Sequence, residues 1–174
     1  ASDVYKRQGI AVTNGPGLAG ALLTGVSFAK GLALGLGIKI VSINHLEAHM
    51  IANLLDNKDI SFPFLCLLVS GGHTQLWLIK KLEDYSLLGE TRDDAAGEAF
   101  DKGARILGLS YPGGPEIEKC AKGGNSNKIN FPRALINSNE IEFSFSGLKT
   151  SLLYYMHSYN QSDDCSLNDV AASC

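Results

Sequence analysis

Residues 64–79 read FLCLLVSGGHTQLWLI. The run from Phe64 to Ser70 is nearly all apolar, the pattern of a strand covered on both faces. Gly71 and Gly72 make a tight turn, and the chain then alternates from Thr74 to Ile79. Gln75 and Trp77 fall on one side, Leu76 and Leu78 on the other. The stretch is a β-hairpin with Ser-Gly-Gly-His-Thr at its tip. It admits two readings. One is a plain glycine hairpin. The other is a phosphate cradle, in which paired glycines bare successive backbone N–H groups while Ser70, Thr74 and His73 add side-chain donors. A third strand over 85–90 completes a meander.

Downstream, residues 91–97 form an acidic turn and 98–107 a helix with Phe100, Ala104 and Leu107 at core spacing. Asp101 lies near the start of that helix. It suits an acceptor for sugar hydroxyls, and equally a helix-face carboxylate paired with Lys102 or Arg105. Tyr111-Pro112-Gly113-Gly114-Pro115 opens a further helix over 116–122, and its glycines let a ribose or phosphate approach the backbone. Residues 123–128 are a polar loop, 143–150 pass from strand through turn into a helix reaching Tyr159, with His157 at the surface, and 160–166 are loop. A last helix begins at Asn168.

Upstream, the polar stretch 53–61 reads as a linker. Before it, the apolar strand 39–44 runs into a helix over 45–55 that opens Asn44-His45-Leu46-Glu47-Ala48-His49. Positions four apart share one helical face, so His45 and His49 suit two ligands of one metal ion; two unrelated histidines on an amphipathic helix are the plainer reading. In a His-Glu-x-x-His metalloprotease the glutamate directly follows the first histidine. Here Glu47 sits two residues on, roughly 200° around the helix, away from the metal face. Farther back come a strand over 9–13, the turn Asn14-Gly15-Pro16-Gly17, and a helix over 18–35 rich in small residues, which suits close packing by a neighbour. The turn also suits an anion at a helix N-terminus. Residues 1–8, ASDVYKRQ, resemble a translated sequencing adapter and are read as foreign to the fold.

The 174 residues suffice for one domain or parts of two, and 45% are hydrophobic, enough for a core. A net charge of −3 argues against indiscriminate binding along nucleic-acid backbones but permits a local basic patch. Apolar runs of membrane-spanning length are interrupted by glycine and polar residues. Cys66, Cys120, Cys165 and Cys174 include no C-x-x-C pair, which suggests reduced thiols in a cytoplasmic protein.

Five strings carry a resemblance: HLEAH (45–49), LVSGGHTQL (68–76), DDAAGEAFDKGARILGL (93–109), YPGGPEIEK (111–119) and FSFSGLKT (143–150). In this order they resemble the TsaD family of tRNA N6-adenosine threonylcarbamoyltransferases, formerly called O-sialoglycoprotein endopeptidases, in its bacterial form. The resemblance covers essentially everything after the adapter-like residues. It implies an α/β fold of the actin-like ATPase type (ASKHA, ribonuclease H-like) with two lobes, both incomplete here: 9–58 would be the remainder of the first and 62–174 the first part of the second. It implies transfer of threonylcarbamoyl from threonylcarbamoyl-AMP to N6 of the adenosine next to the anticodon (adenosine 37) in tRNAs reading codons that begin with A. It further implies one Fe(2+) or Zn(2+) held by His45 and His49. Contacts to the nucleotide-derived substrate would come from Leu68, Val69, Ser70, Gly71, Gly72, Asp101 and Gly114. The family's bacterial partners are a paralogue, TsaB, and a small ATPase, TsaE. Its third metal ligand, an aspartate, and an N-terminal strand with its loop find no counterpart in these residues, and Cys174 stands where an aromatic residue is usual. The chain alone is therefore expected to bind metal weakly and to be inactive. Rival readings are an actin-like sugar kinase or ATPase, which leaves the histidine pair without purpose, a metallopeptidase, and a non-catalytic scaffold resembling the paralogue.

Overall fold

Two short parallel strands joined by a long helix open the structure. The computed structural model describes residues 7–57, 59–159 and 165–174. Most of the adapter-like leader, Lys58 of the expected linker and 160–164 of the expected loop lie outside the described residues. The chain divides into two units, Ala1–Ser61 and Phe62–Cys174.

In the first unit, β1 (Gly9–Gly15) and β2 (Lys39–Asn44) pair in parallel, Gly9 opposite Lys39 and Thr13 opposite Ile43. The crossover between them is α1 (Ala19–Leu36), as parallel pairing requires. Gly37 ends α1 in the left-handed region at φ 62°, its N–H turned back to carbonyls of the last turn. Ala29 and Ala33 are the buried residues of α1. The glycines of that helix do not mark a close neighbour within this unit: a Cβ added at Gly20, Gly25, Gly31 or Gly35 meets open space. By length and composition α1 is apolar enough to cross a membrane, with a mean hydropathy of 1.5. The glycine interruptions therefore do not disqualify it on that count, although the same test is passed by helices of soluble proteins. Then α2 (His45–Asp56) follows β2 directly, so the helix enters what was expected to be linker.

The second unit opens on an antiparallel meander of β3 (Phe64–Val69), β4 (Thr74–Lys81) and β5 (Asp84–Glu90), in that order across the sheet. Phe64 faces Ile79, and Val69 faces Thr74, which fixes the hairpin register. The expectation that β3 is covered on both faces is corrected. Leu68 is 7% exposed, but Leu65, Leu67 and Val69 are 62%, 56% and 54% exposed. An edge strand has one open side, and here one of its faces is open too. Past β5, Thr91 forms a parallel bridge with Phe143, and the Arg92 N–H donates to the Phe143 carbonyl at 2.9 Å. Ile141 runs so close to β5 that a Cβ on Gly89 would lie 1.6 Å from its carbonyl oxygen.

Among the described residues four helices complete the unit: α3 (Ala96–Ile106), α4 (Gly113–Ala121), α5 (Ser146–Ser158) and α6 (Leu167–Ser173). Their shared core holds Ala104, Leu107, Ile117, Phe131, Leu152, Val170 and Ala171. Full burial of an Ile, Leu or Val stabilises by about 1.5–3 kcal/mol. Phe100, expected on the core stripe of α3, is 46% exposed; Gly103 and Ala104 take the inward face. The last helix starts a residue earlier than expected, because Ser166 and Asp169 form a reciprocal capping box. The Asp169 carboxylate also accepts from Asn125 N–H at 2.7 Å, tying the polar loop after α4 to α6.

Candidate functional site

The histidine pair stands at the strand-to-helix junction of the first unit. Asn44 ends β2 in an extended conformation, and its side-chain oxygen accepts from Leu46 N–H at 2.9 Å and Glu47 N–H at 3.2 Å. That cap starts the helix at His45 and so fixes which face both imidazoles share. The rings of His45 and His49 meet edge to face with centroids 4.5 Å apart, and both are exposed. Met50 beside them is buried and anchors the opposite face. Two adjacent, solvent-facing imidazoles fit two ligands of a transition metal. Among the described residues no group of three His, Cys, Asp or Glu side chains gathers around them.

The glycine tip of the second unit is held from behind. The Ser70 hydroxyl oxygen accepts from His73 N–H at 3.0 Å and from Gly72 N–H at 3.4 Å, and Ser70 N–H donates to the His73 carbonyl at 2.8 Å. The tip abuts the start of α3. Gly97 N–H donates to the Ser70 carbonyl at 3.1 Å, and a Cβ on Gly97 would lie 2.7 Å from that oxygen and 2.8 Å from Gly71 Cα. The Thr74 hydroxyl does not face a ligand. It is buried and accepts from Ala96 N–H at 2.8 Å, so its expected role as a phosphate donor gives way to pinning the helix start. Gly71 and Gly72 border open space. Of the other tip residues, Leu68 is buried and paired with Gln75 in the hairpin, while Val69 is exposed.

Asp101 and Gly114 lie at the next helix junction. Asp101 Oδ1 accepts from Gly113 N–H at 2.8 Å, at the first turn of α4. Neither Lys102 nor Arg105 pairs with it; Lys102 instead binds Asp94 at 2.6 Å and Glu98 at 2.8 Å. Of the two glycines, Gly113 packs inward, where a Cβ would lie 2.5 Å from the Phe100 carbonyl oxygen, and Gly114 faces open space. The arrangement thus sets bare glycine backbone at the hairpin tip, a carboxylate midway along α3, and a second bare glycine at the start of α4, all in one unit. Anions and ribose hydroxyls are bound by such groups.

Sequence reasoning missed the residues that brace these junctions. Asp93 accepts from Ser144 Oγ at 2.5 Å, Ser146 Oγ at 2.7 Å, Phe145 N–H at 2.8 Å and Ser146 N–H at 3.3 Å. Burial alone would raise its carboxyl, but the Ser144 hydroxyl and the Phe145 and Ser146 donors pull it down to about 2. Asp94 joins Lys102 to Lys149, at 2.6 and 2.7 Å, and those two ammonium groups hold its carboxyl below the usual range. The signal was the acidic pair itself, which read only as part of an acidic turn over 91–97.

A family model described as TsaD, tRNA N6-adenosine threonylcarbamoyltransferase, matches residues 3–174. The chain belongs to the TsaD family. A tRNA N6-adenosine threonylcarbamoyltransferase of Thermosipho africanus is 53% identical over 164 residues, covering 94% of this chain and 49% of the relative. Proteins of the same name from Clostridium botulinum strain Hall and Clostridium perfringens strain SM101 are each 51% identical over 165 residues, with 94% of this chain covered and 48% and 49% of theirs. The chain spans about half the length of the curated relatives it matches. Membership brings the actin-like fold, and the mixed α/β units agree with part of it.

Proposed function

We propose that the protein of which these residues form part transfers threonylcarbamoyl from threonylcarbamoyl-AMP to N6 of adenosine 37 in tRNA. The observation that carries the reading is the hairpin tip: Gly71 and Gly72 are bare, braced by Ser70 and seated on Gly97, in a chain 53% identical to a relative of that name. Leu68, Val69, Ser70, Gly71 and Gly72 would contact the nucleotide-derived substrate, with the bare glycine backbone at the tip turned to the adenylate phosphate. Asp101, with Oδ1 committed to Gly113 N–H, offers its second oxygen to a ribose hydroxyl, and Gly114 lets the sugar approach. The N6 amine attacks the carbamoyl carbon of the mixed anhydride, the bond to the phosphate oxygen breaks, the amine loses its proton, and AMP departs. The exocyclic amine of adenine is a poor nucleophile, so positioning supplies much of the rate.

His45 and His49 would hold one Fe(2+) or Zn(2+). Such an ion, when bound, supplies Lewis-acid polarisation of an oxygen. A cytoplasmic setting, with TsaB and TsaE as partners, completes the proposal. The test uses the full-length protein with both partners, threonylcarbamoyl-AMP and unmodified tRNA, and mass spectrometry of the nucleosides. Modified adenosine is expected from the wild type, with a loss of at least about 100-fold in His45→Ala/His49→Ala. No product from the metal-loaded wild type, with ATP hydrolysis instead, would replace the transferase by the kinase or ATPase reading.

A further inference from the structure

The start of α5 has no cap of its own: Phe145 precedes the helix and makes no side-chain capping bond. Its orphan N–H groups are satisfied instead by a carboxylate about fifty residues earlier in the chain, as the 2.8 Å bond from Phe145 N–H to Asp93 shows. The loop carrying that carboxylate is gripped at both ends by one residue of the hairpin. Thr91 N–H donates to the Thr74 carbonyl at 3.0 Å, and Ala96 N–H donates to the Thr74 hydroxyl at 2.8 Å. Asp94, the next residue, ties Lys149 of α5 to Lys102 of α3. A connected set of bonds therefore runs from the helix start at Phe145-Ser146 through Asp93 and Asp94 to Thr74, and Gly97 then bonds to Ser70 and packs closely against Gly71 at the glycine tip.

We infer that Asp93 and Asp94 are positioning residues for the adenylate end of the donor: they clasp α5 to the loop that seats the glycine tip, and so hold the tip where its backbone meets the phosphate. This rests on the proposal that the tip binds that phosphate. Asp93 bonds to the start of α5, and Asp94 to Lys102 and Lys149, so both act through the elements they join. Asparagine at position 93 keeps one acceptor oxygen but cannot receive both serine hydroxyls and both backbone N–H groups as a carboxylate does.

The test compares the full-length wild type with Asp93→Asn and Lys149→Met, using AMP as the probe. Calorimetry gives the AMP dissociation constant, steady-state transfer with the partner proteins gives KM and kcat for threonylcarbamoyl-AMP, and hydrogen exchange follows the peptide spanning 68–75. The expected result in each variant is an AMP affinity weakened about tenfold, a KM raised to match with kcat within about twofold, and faster exchange at the tip. A purely structural role would lower the active fraction, reducing kcat at unchanged KM. That result, or unchanged AMP affinity in a folded variant, overturns the inference. Should Asp93→Asn fail to fold, Lys149→Met decides alone, since it leaves the cap of α5 in place. Wild-type protein that binds no AMP would overturn the phosphate proposal and this inference together, whereas wild-type binding with unaltered variants removes only the inference.

Discussion

Gly97 and Gly113 solve one problem at two corners of the second unit. Each lets a helix start lie against backbone, with no room for a methyl group: 2.7 Å to the Ser70 oxygen in one case, 2.5 Å to the Phe100 oxygen in the other. Rigid backbone cannot yield as a side-chain tip can, so Gly97→Ala is expected to cost about 1–3 kcal/mol of stability. Gly114→Ala, facing open space, should stay within about 0.5 kcal/mol, because only helix propensity and solvation change. Thermal unfolding of the two variants, side by side, checks the contrast; equal losses would mean that the Gly97 contact relaxes freely. The Asp93 carboxyl gives a second residue-scale expectation. Its folded value of about 2 lies below its ordinary value near 4, so its contribution is complete above about pH 4 and disappears as pH falls through about 2. The group is exposed, and screening limits the contribution to on the order of 1 kcal/mol. Acid unfolding monitored by circular dichroism should therefore lose part of its slope between pH 4 and 2 in Asp93→Asn.

At the scale of elements, α2 depends on a cap that the sequence announced. Asn44 precedes the helix and accepts from two N–H groups, so Asn44→Ala should cost about 0.5–2 kcal/mol while Asn44→Asp retains most of it. A chemical denaturation series reads that difference directly. The same local logic made β2, the hairpin and α2 legible before any coordinates: apolar runs, turn glycines and a capping asparagine are signals carried by adjacent residues. What stayed hidden depends on residues far apart. Thr74 looked like a ligand donor because its hydroxyl sits in a glycine turn, yet it is spent on Ala96 N–H, 22 residues away. Likewise, Asp93 was an anonymous acidic turn residue because the serines it binds lie more than fifty positions downstream. Burial on both faces of β3 was inferred from hydrophobicity alone, which shows what a strand is able to bury and not what lies against it.

For the molecule as a whole, the chain divides into Ala1–Ser61 and Phe62–Cys174, and the Asp59 N–H bond to the Asn57 side chain, at 3.0 Å, is local. Limited proteolysis should cut first between 57 and 61, giving one fragment with the histidine pair and one with the glycine tip. Early cleavage inside β3–β5 would contradict that order. The open face of β3 presents Leu65, Leu67 and Val69 to solvent along an edge strand, which invites pairing with another chain. The double variant Leu65→Lys/Leu67→Lys of this 174-residue chain is expected to stay monomeric at concentrations where the parent aggregates, as light scattering would show.

The bridge between Thr91 and Phe143 also sets a timetable for folding. It closes a segment that contains both α3 and α4, joining positions 52 residues apart. Ordering so long an intervening segment costs entropy before any contact repays it, so contacts of this separation form late. The hairpin pairs only neighbours in sequence and has no such delay. α5, whose cap reaches it only when that segment closes, would then be the last helix of the pair α3 and α5 to become permanent. A nascent chain would gain its glycine tip well before it gained the helix that steadies it.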